Sequence, residues 1–189
     1  FGIKAPETAF LRLQDALQYP TLNVRGLASS HVVAGARTII PDRASAAIDI
    51  RLVRETPPAD LLEKVRAHVR SQGYYLIDRD PDDRERKTHD RIASITLSGP
   101  PISAFRTPVS EPHARRVAES LRAVFGVPPV QLRTLGGTVP IAPFIEQLGL
   151  PAILAPTVNF DNNQHDENEN LRVGHLFQAI EIVAAILRS

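Results

Sequence analysis

Residues 20–53 read PTLNVRGLASSHVVAGARTIIPDRASAAIDIRLV, and the spacing of apolar residues at the two ends of this stretch decides how the first half of the chain folds. In Ala46 to Val53, Ile48, Ile50 and Leu52 alternate with Asp49, Arg51 and Val53. That period of two predicts a strand with one apolar and one mostly polar face. Thr21 to Leu27 reads as another strand. Upstream, Phe10, Leu13 and Leu17 stand at helical spacing behind Pro6 and predict a helix over residues 6–18, ended by Tyr19 and Pro20. Downstream, two prolines, the stripe Leu61, Val65 and Val69, and the glycine at 73 predict a helix over 57–71 with a glycine cap. Tyr74 to Ile77 and Ile92 to Leu97 are further strand candidates. The charge-crowded run between them, Asp78 to Arg91 with Pro81, reads as a solvated loop.

Beyond Ser98 to Thr107 the grammar changes to short strands alternating with helices, which favours α/β packing and places a domain boundary near residue 105. Helix 110–125 has Ser110 as its expected N-cap, Val117, Leu121 and Val124 as its inner face, and Gly126 as its stop. Val130 to Arg133 and Ala152 to Ala155 are the expected strands of this half. A helix over 139–148 lies between them, and a last apolar-faced helix covers 174–188.

Bulk composition narrows the function. Hydrophobic residues make up 43% and charged residues 23% of 189, as in an ordinary globular protein. The net charge of +1 gives the whole chain no pull toward nucleic acid or an anionic membrane. The most apolar stretch, residues 176–187, is shorter than a bilayer span and is interrupted by Gln178 and Glu181. With no cysteine, neither a disulfide frame nor a thiolate is available, so any metal must be held by His, Asp and Glu. A cytoplasmic location is the expectation. The chain starts at Phe1, which reads as a start partway through a longer protein and says nothing about a secretion signal.

Two stretches carry the chemistry. Asn159 to Val173, NFDNNQHDENENLRV, sets one histidine among amides and carboxylates in a loop after a strand and before a helix, which is where open α/β sheets bind ligands. His165 can offer a neutral imidazole nitrogen to a divalent cation. Taken by itself, a lone histidine in a polar loop reads as a surface residue. Arg133 to Pro140, RTLGGTVP, puts adjacent glycines between a strand and a helix, where backbone amides can approach a ligand closely. Taken by itself, a glycine pair is a tight turn.

In combination and order, RTLGGTVP, a helix, LPAILAP and then DNNQHDENENLRV resemble the C-terminal end of M20 metallopeptidases. PTLNVRGLASSHVVAGARTIIPDRASAAIDIRLV resembles the lid, or dimerisation, domain of the same family. The resemblance implies a mixed α/β and α+β fold: a partial ferredoxin-like lid domain over 1–104, followed over 105–189 by the C-terminal part of a parallel-sheet α/β catalytic domain. It implies hydrolysis of amide bonds in small carboxylate-bearing substrates, such as dipeptides and N-acyl or N-carbamoyl amino acids, by metal-activated water. Two divalent ions, zinc by expectation with cobalt or manganese as alternatives, would be needed, and His165 matches one ligand. Gly136, Gly137 and Thr138 match the loop beside the substrate. Arg51 matches the lid arginine that receives the substrate carboxylate, a task suited to a planar guanidinium, with Arg106 as a looser second match. Asp49, on the same strand face, is the competing partner for Arg51.

The same resemblance implies that the other metal ligands and the glutamate base belong to a missing N-terminal part, so that these residues alone hydrolyse nothing. It also implies a homodimer formed through the lid. The rival reading is a non-catalytic oligomerisation module. His68, His89, His113 and His175 are expected to face solvent, and His31, in the ASSHVVAG stretch, is expected to be a loop residue and not the lid histidine of the family.

Overall fold

The computed structural model describes residues 4–5, 9–31 and 35–188. Pro6 and part of the expected first helix lie outside these residues. The architecture is mixed α/β, and the chain clusters into two compact units: Phe1–Phe105 with Gly136–Ala142, and Arg106–Leu135 with Pro143–Ser189. The segment 136–142, read from the sequence with the second half, clusters with the first.

In the first unit, the helix expected over 6–18 is one turn, α1 (Leu13–Ala16). Phe10 lies outside it and stacks on Tyr19 with ring centroids 4.6 Å apart. Strands β1 (Thr21–Ser29) and β2 (Ala44–Arg51) form an antiparallel ribbon in which Leu22 faces Ile50, Val24 faces Ile48 and Leu27 faces Ala46. These pairs share one apolar face, while Thr21–Arg51 and Asn23–Asp49 share the other. Strict alternation along β1 would send Leu27 to the polar side. A bulge between Val24 and Gly26 leaves Arg25 outside the ladder and resets the phase.

Helix α2 (Pro58–Ser71) begins on proline and turns Leu61, Val65 and Val69 inward, as their spacing requires. Gly73, at φ +84°, ends it: its N–H donates to the Arg70 carbonyl, and the Tyr74 N–H reaches back to Val69. An alanine there would be forced into the left-handed region, so Gly73→Ala is expected to lower stability by about 1 kcal/mol in a urea-unfolding experiment. Gly99→Ala serves as the control, because Gly99 has no left-handed φ and an added Cβ meets nothing within 4 Å; it is expected to be neutral or slightly stabilising.

The strand candidates around 75 and 92 are short: β3 (Tyr75–Leu76) pairs in parallel with β4 (Ile92–Ala93). The run between them is more than a loop, because α3 (Asp83–Thr88) forms there behind a reciprocal cap. The Asp82 carboxylate accepts from the Glu85 N–H at 2.7 Å, and the Glu85 carboxylate accepts from the Asp82 N–H at 2.9 Å. Arg79 grips Glu85 with two bonds of 2.8 Å and holds that carboxyl below its ordinary range.

The second unit holds α4 (Pro112–Phe125), most of α5 (Ala142–Leu148) and α6 (Val173–Leu187). The N-cap of α4 is Glu111, not Ser110; its carboxylate accepts from the His113 and Ala114 N–H groups. Ala114, Val117, Ala118 and Leu121 are the half-buried stripe of α4, and Val124 is exposed. Helices α4 and α6 pack together. The expected strands at 130–133 and 152–155 do not form among the described residues. At Ala152 the reason is visible: the Thr107 hydroxyl takes both backbone groups, accepting from the Ala152 N–H at 3.1 Å and donating to its carbonyl at 2.7 Å. A side chain occupies the place of a neighbouring strand.

Burial is thin throughout. The accessible surface is 15526 Å², against about 9,000 Å² for a compact monomer of 20.8 kDa and about 11,000 Å² for two separate compact halves. Helix α6 shows where some of the excess lies. Its His175, Ala179, Ile182 and Ile186 edge is half-buried, whereas Val173, Phe177, Ile180, Val183 and Leu187 form a second, open apolar stripe.

Candidate functional site

The polar face of the β1–β2 ribbon carries the first group of candidate residues. Asp49 and Arg51, two apart on β2, point to the same side, as strand geometry requires. Arg51 Nε donates to Asp49 Oδ2 at 2.7 Å, and Arg51 Nη1 donates to Thr138 Oγ1 at 2.6 Å. Three of the residues singled out from sequence thus meet within the first unit, although 87 positions separate Arg51 from Thr138. The Arg51 side chain remains 43% exposed, against 25% for Asp49. Nη2 makes no bond among the described residues, so the fork keeps donor capacity on its open edge.

Gly136 and Gly137 precede Thr138 in the same unit. Neither takes a left-handed φ. A Cβ on Gly136 would make ordinary contact with Leu17 Cδ2 at 3.5 Å, and one on Gly137 would meet nothing within 4 Å. Among the described residues, no steric contact requires glycine at 137. The helix that follows starts at Ala142, later than the expected 139, so the glycine pair does not lie at a helix start.

The second unit carries Arg106, which is half-buried, and His165. His165 sits in the loop 159–172 at φ +69°, with Asn163 at +53° and Asn168 at +60° on either side. These left-handed conformations suit asparagine and histidine better than most residues. The imidazole is exposed, and neither nitrogen contacts another described group. The loop is held by Asn159, which is 3% exposed. Its amide donates to Asp161 Oδ1 at 2.9 Å and Asn170 Oδ1 at 3.3 Å, and its Oδ1 accepts from the Arg172 N–H at 3.1 Å.

Sequence reading passed over Asn159. Its signal was faint: it is the first of five asparagines in residues 159–170, and which of them is buried is a tertiary property.

Asp161 is held below the ordinary aspartate range, first by the Asn159 amide and then by Arg172. A depressed folded-state value means that this stabilisation is complete above the unfolded value and is lost as pH falls through the folded one. Titrating the Asp161 carboxyl by carbon NMR should therefore give an inflection below about 3.9, with the Arg172 guanidinium signal moving in step. An inflection at or above that value would contradict the contact.

Among the described residues no three His, Asp or Glu side chains gather to hold a metal ion. The unpartnered imidazole of His165 fits as a single donor, and the described residues do not complete the set. Of the other histidines, His89 is half-buried and stacks on Tyr75 at 3.9 Å, His175 is half-buried on α6, and His113 Nδ1 lies 3.0 Å from Glu111. His68 and His113 are exposed, as expected, and His31 is an exposed loop residue, whereas the half-burial of His89 and His175 departs from the expectation.

The sequence pattern of the peptidase dimerisation domain of the M20 type matches residues 4–75, which include β1, β2 and Arg51. Residues 4–75 are thus similar to an M20 peptidase dimerisation domain. The likeness extends past it. The Beta-Ala-His dipeptidase of Homo sapiens is 25% identical over 174 residues, 92% of this chain and 32% of that protein. The Cys-Gly metallodipeptidase DUG1 of Saccharomyces cerevisiae is 24% identical over 177 residues, 93% of this chain and 34% of that protein. Among solved structures, the M20 family metallo-carboxypeptidase Sso-CP2 from Sulfolobus solfataricus superposes with a TM-score of 0.70 at 24% identity, over 99% of this chain and 40% of that one. The fold is therefore shared with M20 peptidases. The chain spans about a third of the length of the curated relatives it matches. No helix among the described residues is long and apolar enough to cross a membrane.

Proposed function

We propose that these residues are the C-terminal portion of an M20-type metal-dependent amidohydrolase acting on small substrates with a free carboxylate: dipeptides, N-acyl or N-carbamoyl amino acids. The observation that carries this reading is the hydrogen bond from Arg51 to Thr138. It joins the dimerisation domain to the glycine-pair loop and leaves a guanidinium edge open beside backbone that has room for a ligand. Arg51 grips the carboxylate, Gly136, Gly137 and Thr138 line the substrate, and Arg106 is the second carboxylate reader. His165 supplies one ligand to a pair of divalent ions, zinc first, with cobalt or manganese as alternatives. Such ions supply Lewis acidity and an activated water when bound. The remaining ligands and the base lie outside these 189 residues, so this stretch alone is inactive.

The dimerisation domain and the open apolar surface support a homodimer, since exposed apolar faces of this extent are what association covers. The deciding experiment is an assay of the full-length polypeptide with zinc, cobalt or manganese on dipeptides and N-acyl amino acids. Hydrolysis with at least one metal is the expected result. A folded dimer inert with every metal would hand the function to the rival reading, a pure oligomerisation module.

A further inference from the structure

Asn159 does more than fill space. We infer that it is the positioning residue for His165: its buried amide sets the 159–172 loop before any metal arrives, so that the imidazole is presented ready-made. This rests on reading His165 as a metal ligand.

The two ends of the loop meet at this one side chain. Its carbonyl oxygen takes the N–H of Arg172, the residue that opens α6, and that helix has no side-chain cap of its own. Because α6 packs on α4, the loop is tied through Asn159 to a fixed element. Its two amide hydrogens run to Asp161 and Asn170, on opposite sides of His165 in the chain. Within that ring, Asn170 N–H donates to the Asn162 carbonyl, Gln164 N–H to Asn162 Oδ1, and Asp166 N–H to the Asn163 carbonyl. Left-handed backbone at Asn163, His165 and Asn168, tolerated by these residue types but uncommon in three of six consecutive residues, needs a frame to hold it. A buried group with two donors and an acceptor provides that frame, and only asparagine or glutamine has both functions in an uncharged side chain.

The test uses the full-length polypeptide and Co²⁺, read by its visible absorption bands, together with amide exchange of residues 162–170 without metal. Asn159→Asp keeps the shape, removes both donors and sets a second carboxylate against Asp161. It is expected to weaken Co²⁺ binding about tenfold or more and to speed exchange in the metal-free loop. The double variant Asn159→Asp with Asp161→Asn restores the contact between these two positions with donor and acceptor exchanged and keeps an acceptor for the Arg172 N–H, while giving up the donation to Asn170 and the Asp161–Arg172 ion pair. It is expected to bind Co²⁺ several-fold more tightly than Asn159→Asp alone. Asp161→Asn alone keeps an acceptor for Asn159 and should stay near the parent.

If Asn159→Asp does not fold, Asp161→Ala removes one anchor at an exposed position and should weaken binding severalfold. Unchanged Co²⁺ affinity in folded Asn159→Asp, or in Asp161→Ala where that variant stands in, overturns the proposal. So does equal weakening in the single and double variants. The underlying reading fails separately: it falls if His165→Ala leaves the Co²⁺ bands intact. If those bands are lost in His165→Ala but binding is intact in Asn159→Asp, the positioning role alone is refuted.

Discussion

Replacing His165 with alanine in the full-length polypeptide is expected to lower metal content and amide hydrolysis together, activity falling by about a thousandfold or more, since a catalytic metal contributes several kcal/mol to the transition state. The side chain is exposed and contacts no other described group, so its removal costs the fold little. That separates loss of a ligand from loss of structure. The left-handed backbone at this position adds a control. Glycine accepts φ +69° without strain and alanine does not, so His165→Gly should be at least as stable as His165→Ala while equally depleted of metal. Metal measured by mass spectrometry, thermal unfolding and dipeptide turnover are the three readouts. Full metal occupancy in either variant would remove His165 from the ligand set.

The second large effect is expected at Arg51. Charged hydrogen bonds contribute about 1.5–3 kcal/mol, so Arg51→Ala should lower kcat/KM about 10- to 150-fold for substrates with a free carboxylate. Amidated analogues should change little. Arg51→Lys keeps the charge but loses the planar fork, and should recover only part of the difference. The contact with Asp49 complicates the reading, because alanine at 51 leaves that carboxylate without its cation. Comparing Arg51→Ala with Arg51→Ala/Asp49→Asn resolves this, since the double variant removes the orphaned charge. Equal losses for carboxylate and amidated substrates would mean that Arg51 serves the ribbon and not the substrate.

Much of the first unit was legible because its signals are local. Prolines at 57 and 58, the Leu61–Val65–Val69 stripe and Gly73 specify α2 without help from the rest of the chain. The Ile48–Ile50 alternation likewise specifies a strand with Asp49 and Arg51 on its other side. Helix α3 was equally local and was passed over: Asp82 followed three residues later by Glu85 is a capping signal, outweighed by the density of charge and by Pro81.

The second unit was harder to read. Its α4 and α6 declare themselves by periodicity, but a strand is defined by its neighbour, and the apolar runs at 130–133 and 152–155 find none among the described residues. The candidate residues divide the same way. His165 and the glycine pair stand out by type and order in the chain. The partnership of Arg51 with Thr138 and the burial of Asn159 depend on contacts that no local pattern announces.

The surplus residue at Arg25 governs which chemistry each side of the ribbon can host. With Arg25 absorbed outside the ladder, Leu27 emerges beside Val24 and Ile48, and Asn23, Asp49 and Arg51 keep a surface free of large aliphatic neighbours. One spare amino acid thus insulates a water-wet, ion-bearing side from a greasy one. Losing or duplicating a residue at this point would exchange the apolar and the polar side for every position of β1 beyond it.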